Sequence, residues 1–145
     1  MITILDISDW FLNKEKMTHK KLQKLCYYAQ AWHLALFDCP LFDSSFQAWI
    51  HGPVCPILYS KYKTNGWNTI PQPPQPAIND IAILTFLERI WITYGALDGH
   101  ELEILTHQES PWIDTRNGIG PWDPSTEVIT HEEMKNYYSQ KYQGD

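Results

Sequence analysis

The stretch that most constrains the fold is residues 18–37, T-H-K-K-L-Q-K-L-C-Y-Y-A-Q-A-W-H-L-A-L-F. Leu22, Leu25, Cys26, Ala29, His33 and Leu36 recur at helical spacing and share one face. Lys20 and Lys24 fall on the opposite side, but only near the start. From Tyr27 onward that side carries Tyr27, Ala31 and Leu34. A helix that is apolar on both sides is packed all round, so this one is expected at the centre of the molecule. Thr18 can cap its first turn, and Pro40, just past Asp38, fits its stop.

The rest of the chain reads as further helices set round this one. Leu5–Leu12 is a short amphipathic helix with Ile4, Ile7, Trp10 and Phe11 on one broad face. Phe46–Ile50 is short, aromatic and alternating, which suits a strand. His51-Gly52-Pro53 then turns the chain. Pro53 and Pro56 are expected in the first turn of a helix running to about Lys63, where a missing N–H costs nothing. Asn65–Ala77 opens on an Asn-Gly turn and carries four prolines, so an extended spacer is expected there. Ile78–Tyr94 has a strong apolar stripe ending at Gly95. Asp98 with Glu101 is a capping-box start for a helix to His107. Ser110-Pro111 predicts a short helix to about Arg116 with Ser110 as cap. Thr130 with Glu133 opens a polar terminal helix to about Tyr142.

The expectation is a mainly α chain: one compact helical domain of five to seven helices, with room for a very short β-hairpin near residues 41–50. Residues 6–117 should form its core, and residues 118–145 an irregular segment plus the terminal helix. A chain of 145 residues is long enough for a real core. Seven Trp and eight Tyr argue against disorder. No apolar run is long enough for a membrane span, and Asp6 and Asp9 interrupt the early apolar stretch a signal peptide would need. Three cysteines without paired spacing suit a reducing cytoplasm. The net charge of -6 argues against nucleic acid as a partner.

Catalytic and metal chemistry find little support. Cys55 lies near an expected helix start, four residues from His51, the minimum for a cysteine nucleophile. A small buried residue is the favoured reading there. Six His and three Cys form no paired zinc spacing, so no metal or cofactor is expected. His33 reads as a core histidine. Lys14, Lys16, Lys20, Lys21 and Lys24 make the only basic cluster, best read as the solvated end of a helix and otherwise as a patch for an acidic partner. Trp49, Trp67, Trp112 and Trp122 stand beside turns. They suit either core anchoring, favoured for Trp49 and Trp112, or a binding surface.

Three blocks then stand out together: K-L-Q-K-L-C-Y-Y-A-Q-A-W, A-W-I-H-G-P-V-C-P-I-L-Y and L-T-H-Q-E-S-P-W. Their order and spacing resemble the Panacea domain, also called SocA-like, over roughly Asp6 to Asn117. The resemblance implies an antitoxin of a bacterial or phage toxin–antitoxin pair. Such a protein neutralises a toxin encoded by a neighbouring gene through direct contact, or delivers it to a protease as an adaptor, and makes or breaks no bond. It also marks the Gly52-Pro53-Val54 turn and the Ser110-Pro111-Trp112 corner as signature positions. The residues expected to serve partner binding are therefore Lys20, Lys24, Trp49, His51, Gly52, Pro53, Val54 and Trp112.

Overall fold

Lys21 through Ala31 are buried without interruption. They belong to a 19-residue helix that the rest of the protein encloses. The computed structural model describes residues 2–143. In chain order it contains α1 (Ile4–Leu12), α2 (His19–Phe37), β1 (Phe46–Trp49), β2 (Gly52–Val54) and α3 (Pro56–Tyr62), which runs into a 3-10 turn at Lys63–Asn65. Then come α4 (Ile81–Tyr94), α5 (Gly99–His107), α6 (Ser110–Thr115), β3 (Val128–Ile129) and α7 (His131–Gln143). The architecture is mainly α. Helix α2 touches α1, α3, α4, α5, α7 and β2, with α7 the most extensive neighbour.

Local signals set most helix ends. Thr18 accepts from the Lys21 N–H at 3.3 Å, and Asp38 ends α2 in the left-handed conformation at φ 58. Asp98 and Glu101 close a reciprocal capping box on α5. Thr3 and Asp6 do the same for α1. Asp80 caps α4, which begins at Ile81, three residues later than the Ile78 start read from the sequence. Gly95 keeps right-handed geometry there, so it is not a left-handed terminator.

Two boundaries differ from the sequence reading for identifiable reasons. Pro53 does not open a helix. It sits in β2, paired with Ala48, and α3 begins three residues later at Pro56. The hairpin thus spans residues 46–54 rather than 41–50. It gains a third strand, β3, in the order β2-β1-β3, with Phe46 opposite Ile129 and Gln47 opposite Val128. Ser110 is not the cap of α6. Glu109 holds that position, but its carboxylate is engaged elsewhere and makes no cap bond.

That carboxylate is the polar centre of the core. Glu109 Oε1 accepts from Tyr28 Oη and Tyr138 Oη, each at 2.7 Å, and Lys141 Nζ lies 3.3 Å from Oε2. Tyr138 Oη also lies 3.2 Å from Tyr27 Oη, within hydrogen-bond distance. Tyr28 stacks on Tyr94 at 4.0 Å, and Tyr94 Oη accepts from Trp32 Nε1 at 2.7 Å. Burial pushes the hydroxyls of Tyr27, Tyr28 and Tyr138 well above the ordinary tyrosine range, so they act as donors throughout the physiological range. Three helices, α2, α4 and α7, are joined through this group. Helix α7 is therefore more than a polar tail: Met134 and Tyr138 are fully buried against α2.

Replacing Glu109 with Ala leaves two buried hydroxyls and the Lys141 ammonium without their acceptor and should cost about 3–5 kcal/mol. Tyr138→Phe removes one bond to each neighbour and should cost roughly 1–2 kcal/mol. Urea unfolding of the two variants checks both values and their order.

Candidate functional site

The first turns of α2, the tip of the β1–β2 hairpin and the end of α3 enclose a cleft of about 360 Å³. Helix α2 supplies His19, Lys20, Gln23 and Lys24, and the hairpin supplies Trp49, His51 and Val54. Tyr59, Lys63 and Trp67 close the far side. Trp49 meets Tyr59 edge to face at 4.9 Å. Trp67 stands 79% exposed, with Lys20 Nζ 5.9 Å from its ring centre.

Lys24 lies at the floor. It is 1% exposed, and its Nζ donates to Pro53 O at 3.2 Å. Gly52 makes room for it. The glycine adopts φ +108, and a Cβ there would lie 2.6 Å from Lys24 Cε and 2.9 Å from Thr106 Oγ1. The His-Gly-Pro turn is thus moulded on a lysine stem, and only glycine fits both the angle and the space. Burial lowers the Lys24 pKa to about 7, with the nearby charge of Lys20 adding to the effect and Glu103 opposing it.

Behind Lys24, Glu103 organises the cationic wall. It forms an ion pair with Lys20, and His51 Nδ1 lies 3.0 Å from its Oε2. Burial raises the Glu103 pKa, but the bonds from Lys20 and His51 outweigh this and hold it below the usual carboxylate range. His107 stacks on Trp112 at 4.0 Å, and Trp112 Nε1 donates to Trp49 O at 2.7 Å. Burial lowers the pKa of both His107 and His19. Gln23 ties helix to hairpin: its Oε1 accepts from Cys55 N at 2.9 Å and its Nε2 donates to Cys55 O at 3.1 Å.

The residues expected from the sequence divide cleanly in space. Lys20, Lys24, Trp49, His51 and Val54 line one cleft. Gly52 and Pro53 are buried and form its base, while Trp112 lies behind it and props Trp49. The basic cluster is not a solvated helix end. Lys21 and Lys24 are buried, Lys21 bonding Glu15 and Gly95 O, and Lys14 pairs with Glu88. The reason is that α2 has neighbours on every side from its first turn. His33 differs from its expected core role: it lies at the margin, its Nδ1 2.7 Å from Cys39 O. Sequence reasoning missed His19, Gln23, Tyr59, Lys63 and Glu103. Lys63 and Trp67 flank an Asn-Gly turn, the one signal that could have drawn attention to them. Cys55 is 1% exposed, so its sulfur does not face the cleft as a nucleophile. Among the described residues, no group of three His, Cys, Asp or Glu side chains is placed to hold a metal ion. None of the helices described is long and apolar enough to cross a membrane.

Most of the helix-and-hairpin unit that builds this cleft falls within the part of the chain that known proteins share. Residues 22–113 match the family described as Antitoxin SocA-like, Panacea domain, and the chain belongs to that family. It is 30% identical over 116 residues to the protein named Antitoxin SocA of Caulobacter vibrioides (strain NA1000 / CB15N), covering 68% of this chain and 60% of that one. The chain thus spans about three-fifths of the length of the curated relative it matches. No solved structure matches the chain.

Two outcomes test the role of the buried lysine. Gly52→Ala forces both strain and a clash and should cost roughly 2–4 kcal/mol, read by urea unfolding. The second outcome concerns pH. Unfolded lysine holds its proton to about pH 10.4, whereas folded Lys24 loses it near pH 7. Between those values the unfolded state binds more protons, so stability contributed at this site rises with pH. Relative to Lys24→Met, the wild type should gain on the order of 1 kcal/mol per pH unit between pH 7.5 and about 9.5. Referring the gain to that variant cancels the titration of cysteines and other groups.

Proposed function

We propose that this chain is an antitoxin that binds and neutralises a toxin protein encoded by a neighbouring gene. Family membership carries the reading: the antitoxin match, residues 22–113, covers most of the residues that build the cleft and most of the helix beneath it. The relative's own name points the same way. Neutralisation is by contact. The toxin loses access to a surface it needs, and no covalent step is required of the antitoxin. The family assignment favours such a non-catalytic role over chemistry at Cys55.

The surface has the means. A standard specific interface buries about 800 Å² per partner, roughly a tenth of the 7891 Å² exposed here. Trp67 and Trp122 are 79% and 81% exposed, and Ile57 is 55% exposed. Large aromatic side chains of this kind dominate binding energy when a partner covers them. The unpaired cysteines suit action in the cytoplasm.

Expression of the neighbouring gene alone should arrest growth, and co-expression of this chain should restore it. A tagged toxin should persist at an unchanged level and co-purify with the antitoxin. Restored growth with vanishing toxin would assign delivery to a protease instead. Growth arrest that this chain does not relieve would remove the antitoxin reading.

A further inference from the structure

We propose that the cleft receives an extended acidic segment of the partner polypeptide, with a carboxylate against the lysines and an apolar side chain seated across the hairpin tip. The inference rests on the antitoxin reading and names the chemistry by which this surface recognises its partner.

Charge is the first observation. The whole chain carries a net charge of -6, yet the lysines Lys20, Lys24 and Lys63 line the cleft beside His19 and His51, and no carboxylate does. The nearest acid, Glu103, is 13% exposed and already engaged by Lys20 and His51. It orders the wall without neutralising the opening. A cationic recess in an anionic surface attracts an acidic group, while the surrounding charge disfavours a long nucleic acid.

The second observation is Lys24 itself. An ammonium has three N–H donors. Among the described residues, Pro53 O is the one hydrogen-bond acceptor Lys24 has. Buried donors without acceptors are costly, and an incoming carboxylate both accepts from them and favours the protonated lysine. Gly52, Pro53 and Gln23 hold it in place beforehand, so little ordering is left for the moment of binding.

The third observation fixes the shape of the ligand. A second depression of about 350 Å³ adjoins the cleft across the hairpin tip. It shares Trp49, His51 and Val54 with the first and continues to Pro124, Ser125 and Thr126. A small anion would fill one hollow and leave the other empty. An extended peptide, whose alternate side chains lie about 7 Å apart, reaches both.

The full chain is tested against overlapping 15-residue peptides that tile the neighbouring gene's product. Bound peptides should carry an acidic residue near an apolar one, and binding should weaken as salt rises. Lys63→Glu and Trp67→Ala alter exposed side chains, so the fold is retained, as circular dichroism will verify. Each should weaken binding about tenfold or more. The double variant should lose protection in cells. Bound peptides that are basic, binding unchanged in both variants, no peptide bound while the wild type protects, or a dT20 oligonucleotide that displaces the peptide would each overturn the inference. A double variant that protects as well as wild type sinks the cleft alone, whereas a wild type that fails to protect sinks the antitoxin reading beneath it.

Discussion

A helix enclosed on every side must find a partner for each polar atom it carries inward, because an unpaired buried group costs about as much as a hydrogen bond is worth in an apolar medium. Helix α2 buries Lys21, Gln23, Lys24, Gln30 and two tyrosine hydroxyls. The surrounding structure gives each of these residues at least one partner. Gln23 pairs both the oxygen and the nitrogen of its amide with the backbone of Cys55, and Gln30 does the same with Leu41 and Phe42. Each glutamine therefore acts as a short stretch of backbone, fixing a loop that no helix or strand would otherwise hold. The lysines reach carbonyls at Pro53 and Gly95, and the tyrosines reach Glu109 directly or through Tyr138. Side chains of α2 thus specify where the hairpin, the α4–α5 turn and α7 must lie.

Much of this frame could be read from the sequence because its signals are local. Apolar residues on both faces of residues 18–37 placed α2 at the centre, and Asp98 with Glu101 fixed the start of α5 to the residue. Where the signal depends on distant residues, the reading failed. Proline tolerates a strand edge as readily as a helix start, so Pro53 could not reveal that Ala48 would pair with it. Ser110 looks like a cap, yet tyrosines from α2 and α7 draw Glu109 into the core and shift the helix by one residue. Val128–Ile129 carries no strand pattern of its own and becomes β3 only because β1 offers it an edge.

The cleft shows the same division. Lys24, Trp49, His51 and Val54 could be picked out by residue type and by their place in the family's blocks, and Lys20 by its place in the basic cluster, but not the part each plays. A lysine on the polar side of an amphipathic stretch reads as solvated. Here the hairpin, approaching close at a side-chain-free glycine, covers Lys24 and turns it from a surface charge into a buried one. Glu103 and Lys63 lie 79 and 39 positions from Lys24 in sequence, and nothing local announces that they share its neighbourhood. Position within a helix is written in short-range periodicity; electrostatic environment is written in the tertiary contacts.

The clasp at Tyr138 carries one more consequence. The family's shared region ends at residue 113, but the acceptor for Tyr28 is shared with a hydroxyl that arrives from α7, beyond that boundary. Homology and cooperativity therefore draw different borders on this chain. A fragment trimmed to the shared region would carry the signature blocks and yet open the aromatic heart to water.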